Sequence, residues 1–316
     1  MAPGKITERV DAITHIGETR RTACPPAPKS VKIELTARCN YRCSFCATGQ
    51  KLRVKSDMSR DFYLRILEEL KAIGVEEIGV FYLGESFLLP WLPQAIRDAK
   101  EAGFDYVFLT TNGSLATPER VQACLEAGLD SLKFSLNYAD AEQFVSVARV
   151  KGRYFDAMIE NVKAARRIRD ENGFDCGLYA SYISYDGDQG ARMESLMAEL
   201  SPYLDEFYAL PLYSQADLVA ADGTSRGWRV RGGNPGRADA IRPPVPCWSL
   251  FTEGRISYDG HLSACCFDHD GRFRMGDLNA VSFMQAWHSE PFQALRAAHL
   301  TGDVRDTVCN GCVSYE

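Results

Sequence analysis

From residue 31 to residue 210 the chain alternates between short β-branched runs and longer amphipathic ones, and this alternation restricts the fold more than any other feature. Strands are predicted near 31–35, 78–82, 106–110, 131–136, 177–184 and 206–210. Helices are predicted between them, near 61–73, 91–102, 118–128, 153–171 and 191–200. Elements of these lengths in this order imply a parallel sheet with helical crossovers, an α/β fold. Met58-Ser-Arg-Asp61 reads as the cap before the first of these helices, and Thr110-Thr-Asn-Gly113 as a turn after the third strand.

The loop after the first strand carries Cys39, Cys43 and Cys46 in Cys-Asn-Tyr-Arg-Cys-Ser-Phe-Cys. Loops at the C-terminal ends of strands are where α/β proteins place their sites. Soft thiolates grouped at short gaps are ligands for a metal cluster. Three of them on a four-iron cluster leave one iron open to a cofactor or substrate. A zinc site is the alternative, although zinc knuckles usually pair C-x-x-C units or add His, and no His lies within reach here.

Cys39-x3-Cys43-x2-Cys46, with Phe45 before the last Cys, resembles the signature of the radical S-adenosylmethionine (SAM) enzymes. The resemblance implies a partial (β/α)6 barrel and a [4Fe-4S] cluster whose open iron chelates the amino and carboxylate groups of the cofactor. It also implies reductive cleavage to a 5′-deoxyadenosyl radical that abstracts a substrate hydrogen. Phe81-Tyr-Leu-Gly-Glu85 is similar to the family's Gly-Gly-Glu motif, with Leu83 for the first Gly and Ser86 for the common Pro. By that likeness Gly84 lets backbone approach the ligand and Glu85 accepts from the cofactor's ammonium. Ser135 and Asn137, ending the fourth strand, fall where the family often binds ribose and carboxylate.

A second group, Cys247, Cys265, Cys266, Cys309 and Cys312, follows a breaker-rich stretch at 217–245 that reads as a linker or lid. Arg255 to Cys265 reads as a hairpin turning at Asp259-Gly260, and a helix is predicted from about Ser282 to Leu300. Thiolate count alone leaves zinc and an iron–sulfur cluster both open. The order of these motifs resembles the family's twitch module, a reduced SPASM domain with one auxiliary [4Fe-4S] cluster. The resemblance makes Cys247, Cys265, Cys309 and Cys312 the ligands of that second cluster. The expected organisation is an N-terminal extension at 1–29, the barrel at 30–216, the linker, and the twitch module at 246–316.

Cys266 is then left over. Adjacent strand residues face opposite sides, so Cys266 is expected to face the substrate and return a hydrogen atom to a substrate radical; the alternative is a small buried hydrophobe. Aminoglycoside-acting members of the family frame two outcomes. With a Cys donor the reaction is an epimerisation; without one it is a dehydrogenation of an alcohol to a ketone. A non-catalytic two-cluster electron carrier is a third reading. The substrate expected is a sugar or aminoglycoside whose amines meet acids in the cavity, with an external one-electron reductant such as flavodoxin or ferredoxin. Cys24, Cys124 and Cys176 read as structural, and the five His as surface or capping residues.

Composition fits this reading. Eleven Cys with no apolar N-terminal h-region suggest a reducing, cytoplasmic setting where thiols bind metals. No run of about 18 apolar residues suggests a membrane span. The net charge of −6 argues against nucleic acid as the main partner and is compatible with a cationic substrate.

Overall fold

The structure, a computed structural model, describes residues 4–219 and 230–313. Residues 220–229 of the predicted linker lie outside the described residues. Six strands, β1 (Ser30–Ile33), β2 (Glu77–Gly79), β3 (Tyr106–Thr111), β4 (Ser131–Ser135), β5 (Gly177–Ile183) and β6 (Glu206–Leu210), pair in parallel in that order. The crossovers are α2 (Arg60–Ala72), α3 (Leu92–Glu101), α4 (Pro118–Glu126), α5 (Ala141–Ala148) with α6 (Arg153–Asn172), and α7 (Gly187–Leu200). This is the α/β fold expected from the alternation.

The strands alternate in what they face. Val31, Ile33, Val107, Leu132 and Phe134 are fully buried under the helices, while Lys32, Phe108, Thr110, Lys133 and Tyr208 line the lumen. Helix α1 (Ile6–Thr14), not expected from the sequence, lies across that lumen with Ile6, Val10 and Ile13 on its wall. It is pinned at the starts of the strands: Arg9 pairs with Glu77, and Thr7 N donates to Glu206 Oε2 at 3.1 Å.

The sheet continues beyond β1. Strand β9 (Glu253–Ile256) pairs parallel with β1, and β10 (His261–Ser263) and β11 (Arg274–Asp277) follow antiparallel. The predicted hairpin is therefore β9–β10, and Gly260 at its turn has φ +83°, a left-handed conformation that suits glycine. Two shorter strands, β7 (Leu212–Tyr213) and β8 (Val230–Arg231), pair on either side of the undescribed segment.

The single helix expected over 282–300 is instead two, α8 (Phe283–Trp287) and α9 (Glu290–Thr301). The reason is Pro291, which has no N–H to give the Trp287 carbonyl and whose ring would clash with it in a continuous helix. Arg296 Nη1 donates to that carbonyl instead, at 2.6 Å. The chain ends its described part in α10 (Asn310–Val313). No helix among the described residues is long and apolar enough to cross a membrane.

Trp287 fastens this region to the rest of the chain. It is fully buried, packs against Phe283 and Phe292 at ring-centroid distances of 5.9 and 5.1 Å, and donates to Pro25 O at 3.2 Å. Trp287→Ala is expected to lower stability by about 3–5 kcal/mol in denaturant unfolding, the usual range for removing a buried Trp. A loss well under about 1 kcal/mol would mean the ring is not a core anchor.

Candidate functional site

The cysteine loop leaves β1 at the C-terminal end of the sheet and is held from two sides. Gly84, in the loop after β2, sits so close to it that a Cβ there would lie 2.0 Å from Thr36 O and 2.8 Å from Arg38 O. Only glycine fits. The close approach that requires glycine here is to the backbone of the cysteine loop. The next residue locks the contact, with Glu85 N donating to Arg38 O at 2.8 Å.

Glu85 is buried, and its hydrogen bonds run inward. Oε1 accepts from Phe87 N at 3.1 Å and Thr111 Oγ1 at 2.9 Å, and Oε2 accepts from Asn112 N at 2.8 Å. Three of a carboxylate's roughly four acceptor positions are thereby filled, leaving one on Oε2. Burial pushes its carboxyl above the ordinary range, and the bonds from Asn112, Phe87 and Thr111 pull it back.

Cys39, Cys43 and Cys46 are half-buried on this loop. Asn112 Nδ2 lies 4.0 Å from Cys39 Sγ, and Tyr138 Oη, just past β4, lies 3.0 Å from Cys43 Sγ. Burial, then the nearby Glu85, pushes the Cys39 thiol up to about 12, and burial, then Cys46, raises that of Cys43. Such thiols become ligands only when a cation draws off their protons, as iron does. Phe45 packs on the core from the same loop. Ser135 and Asn137 are half-buried at the end of β4, and the Asn137 carbonyl accepts from Tyr185 Oη at 2.6 Å. Asn112 and Tyr138 were not read from the sequence; the Thr-Asn-Gly turn was the signal for the first.

The second cysteine group converges. Cys247, Cys265, Cys266, Cys309 and Cys312 line one small cavity together with His299. Three of the sulfurs accept N–H bonds: Cys312 from Gly233 N at 3.2 Å, Cys265 from Phe267 N at 3.3 Å, and Cys266 from Asn234 Nδ2 at 3.2 Å. Such bonds to sulfur tune the potential of an iron–sulfur cluster where the sulfur is a ligand. Gly233 and Asn234 come from the stretch read as linker or lid, so part of it belongs to the wall of this cavity.

His299 is buried here and His269 nearby, which corrects the expectation of surface or capping roles. His299 Nδ1 accepts from Cys247 N at 3.1 Å, and its Nε2 has no partner among the described residues. His269 Nδ1 shares a hydrogen bond with Thr48 Oγ1 at 3.2 Å, tying the second module to the first cysteine loop. Tyr82 adds a second tie through a short bond to the Cys265 carbonyl.

Beside the second group lies the lumen, a cavity of about 240 Å³. Cys266 borders it as well as the cysteine-lined cavity, whereas Cys265 borders only the latter. Burial raises the Cys266 thiol, but a hydrogen bond with Cys265, the Arg255 guanidinium and Asn234 outweigh it and favour the thiolate. The acids expected to meet substrate amines are absent from the described lining. Its one carboxylate is Glu253, already bound to Lys32 at 2.9 Å and Arg255 at 2.8 Å.

Fold and cysteines together describe an α/β barrel protein with two groups of thiols. Residues 33–176 match the radical SAM superfamily, and residues 247–313 match the SPASM iron-sulfur cluster-binding domain. The chain thus carries a radical SAM domain followed by a SPASM domain. The first implies SAM and a [4Fe-4S] cluster, and the second further iron–sulfur binding. The chain is 35% identical over 120 residues to a GTP 3′,8-cyclase of Chlorobaculum tepidum, covering 38% of this chain and 36% of that one. A GTP 3′,8-cyclase of Limosilactobacillus fermentum is 27% identical over 270 residues, 75% of this chain and 79% of that one. Among solved structures, BtrN in complex with AdoMet and 2-DOIA superposes with a TM-score of 0.59 at 16% identity, covering 90% of this chain and 91% of that one. That likeness establishes the fold alone.

Two outcomes test the site. Gly84→Ala is expected to lower the iron of reconstituted protein by about four per chain, since the cysteine loop cannot close, while the second group keeps its own; unchanged iron would contradict the packing argument. Burial, with Arg53 and Lys55 adding, pushes the His269 imidazole down to about 3. The unfolded chain takes up that proton near its ordinary value of about 6.5 and the folded chain does not, so stability falls as pH drops below that point. Between about pH 7 and pH 5, urea unfolding should cost the wild type about 2 kcal/mol more than His269→Gln. Equal losses would place His269 outside this linkage.

Proposed function

We propose that this radical SAM protein is an epimerase, inverting a carbon stereocentre of a sugar-type substrate held in the barrel lumen. The observation carrying the reading is the position of Cys266 on both the lumen and the cysteine-lined cavity. Thr110, Tyr208 and Asn234 offer hydrogen bonds there beside the aromatic faces of Phe81 and Phe108, a mixture suited to one polyhydroxylated ring. The amine-bearing aminoglycoside is not part of the proposal, because Glu253 is taken.

When bound at the first cysteine group, cluster and SAM supply a carbon radical able to take a hydrogen atom from the substrate. In this reading Cys39, Cys43 and Cys46 hold that cluster, and Phe45, Gly84, Glu85, Ser135 and Asn137 form the cofactor's seat, with the remaining lone pair of Glu85 Oε2 toward the ammonium. Cys247, Cys265, Cys309 and Cys312 hold one auxiliary [4Fe-4S] cluster. Cys266 breaks its S–H bond as the new C–H bond forms on the face opposite the abstraction. The Cys266 thiyl radical returns to the thiol with one electron, drawn from an external reductant of the flavodoxin or ferredoxin class, and one proton from solvent. Misplacing such a donor by about 1 Å costs on the order of a hundredfold in rate.

The test is turnover in deuterated water of a panel of hexoses, amino sugars, uronates and sugar phosphates. Solvent deuterium at an inverted carbon is expected, lost in Cys266→Ala while 5′-deoxyadenosine still forms. A ketone product made equally fast by Cys266→Ala would replace epimerisation with alcohol dehydrogenation.

A further inference from the structure

The lumen holds more positive charge than the described residues neutralise. Lys32 on β1 and Arg255 on β9 share a single carboxylate, Glu253, at 2.9 and 2.8 Å. Glu253 and Arg255 are 1% and 0% exposed, so water does little to screen them. A third cation, Lys133 on β4, donates to Tyr208 Oη at 3.0 Å, and no carboxylate pairs with it among the described residues. Its ammonium also lies 5.4 Å from the centre of the Tyr208 ring. Arg9, reaching in from α1, is already matched by Glu77 and lies 4.0 Å over the Phe108 ring.

Two lysines, Lys32 and Lys133, thus line the lumen beside one carboxylate, Glu253, which the buried Arg255 behind the wall also shares. They also feel one another. Burial lowers the Lys32 ammonium, Glu253 pulls it back, and Arg255 and Lys133 push it down again. Charges taken out of water without a partner are costly, and proteins retain them where a ligand supplies the counter-charge. Tyr208 accepts from Lys133, and its own hydroxyl proton is left to donate.

We propose that the lumen reads an anionic group on the substrate, a carboxylate or a phosphate, through Lys133, Lys32 and the Tyr208 hydroxyl. The substrate class is then an acidic sugar or sugar-like molecule. This rests on the lumen being the substrate chamber, but not on what Cys266 does there. Lys133 makes the specificity, because Lys32 is half-satisfied by Glu253 and Lys133 has no charged partner of its own.

The test is calorimetric titration of the anaerobically reconstituted protein, saturated with SAM and without reductant. The probes are inorganic phosphate, glucuronate, glucose 6-phosphate, glucose and glucosamine. At least one of the three anions should bind saturably, and about tenfold or more tighter than glucose or glucosamine, the usual worth of a charge-assisted hydrogen bond. Glucuronate against glucose 6-phosphate separates the carboxylate from the phosphate. Lys133→Met should weaken the bound anion by about tenfold to a hundredfold, and Lys133→Arg should restore most of it. Glucosamine binding as tightly as the anions, no saturable anion binding at all, or full affinity in a Lys133→Met protein of normal circular dichroism would each overturn the proposal. Because binding needs neither turnover nor the Cys266 thiol, its failure and the failure of epimerisation are read in separate experiments.

Discussion

One buried carboxylate holds the ends of three strands together, and the first cysteine group depends on it. Glu85 gives its backbone N–H to the cysteine loop after β1, belongs to the loop after β2, and accepts from Thr111 and Asn112 at the end of β3. Gly84 beside it removes the side chain that would keep these backbones apart. A buried carboxylate would normally be a liability, and here two backbone N–H groups and a hydroxyl offset its desolvation. That small knot of hydrogen bonds fixes the loop at Arg38, beside Cys39, while Arg42 N and Ser44 N, donating to Ala148 O and Val147 O, hold the stretch around Cys43.

The second module is positioned by the same logic at larger scale. Strand β9 extends the sheet from β1, so the hairpin and its cysteines come to the side of the lumen rather than to a separate body. Glu34, fully buried at the end of β1, accepts from Arg53 Nη1 at 2.8 Å and from Tyr258 N at 3.1 Å, joining the cysteine loop to the hairpin. Tyr82 and His269 add further ties. The second group of thiols is thereby brought beside the lumen, with Cys266 on its wall.

Much of this was legible in the sequence because it is local. Six strands and five crossover helices follow from periodicity, and the cysteines from their spacing. What was missed depends on tertiary partners. Helix α1 has an apolar face of only three lumen-facing residues, and its place across the barrel is fixed by Glu77 and Glu206, distant in sequence. Helix α5 is short, although Asp140 capping Gln143 N was a readable signal. Pro291 should have split the helix near 290. The breaker-rich stretch showed its turns but not that Gly233 and Asn234 reach sulfurs, and the lumen's charge depends on which lysines the strands turn inward.

The central claim is that the two cysteine groups hold separate iron–sulfur clusters, only the first of which meets the cofactor. Iron and sulfide analysis with electron paramagnetic resonance of the reduced protein tests it directly, comparing wild type with a variant carrying Ala at Cys39, Cys43 and Cys46. The account predicts about eight irons per chain in the wild type, about four in the variant, and a spectrum that SAM alters only in the wild type. Zinc in the C-terminal group, or a variant stripped of all its iron, would contradict it.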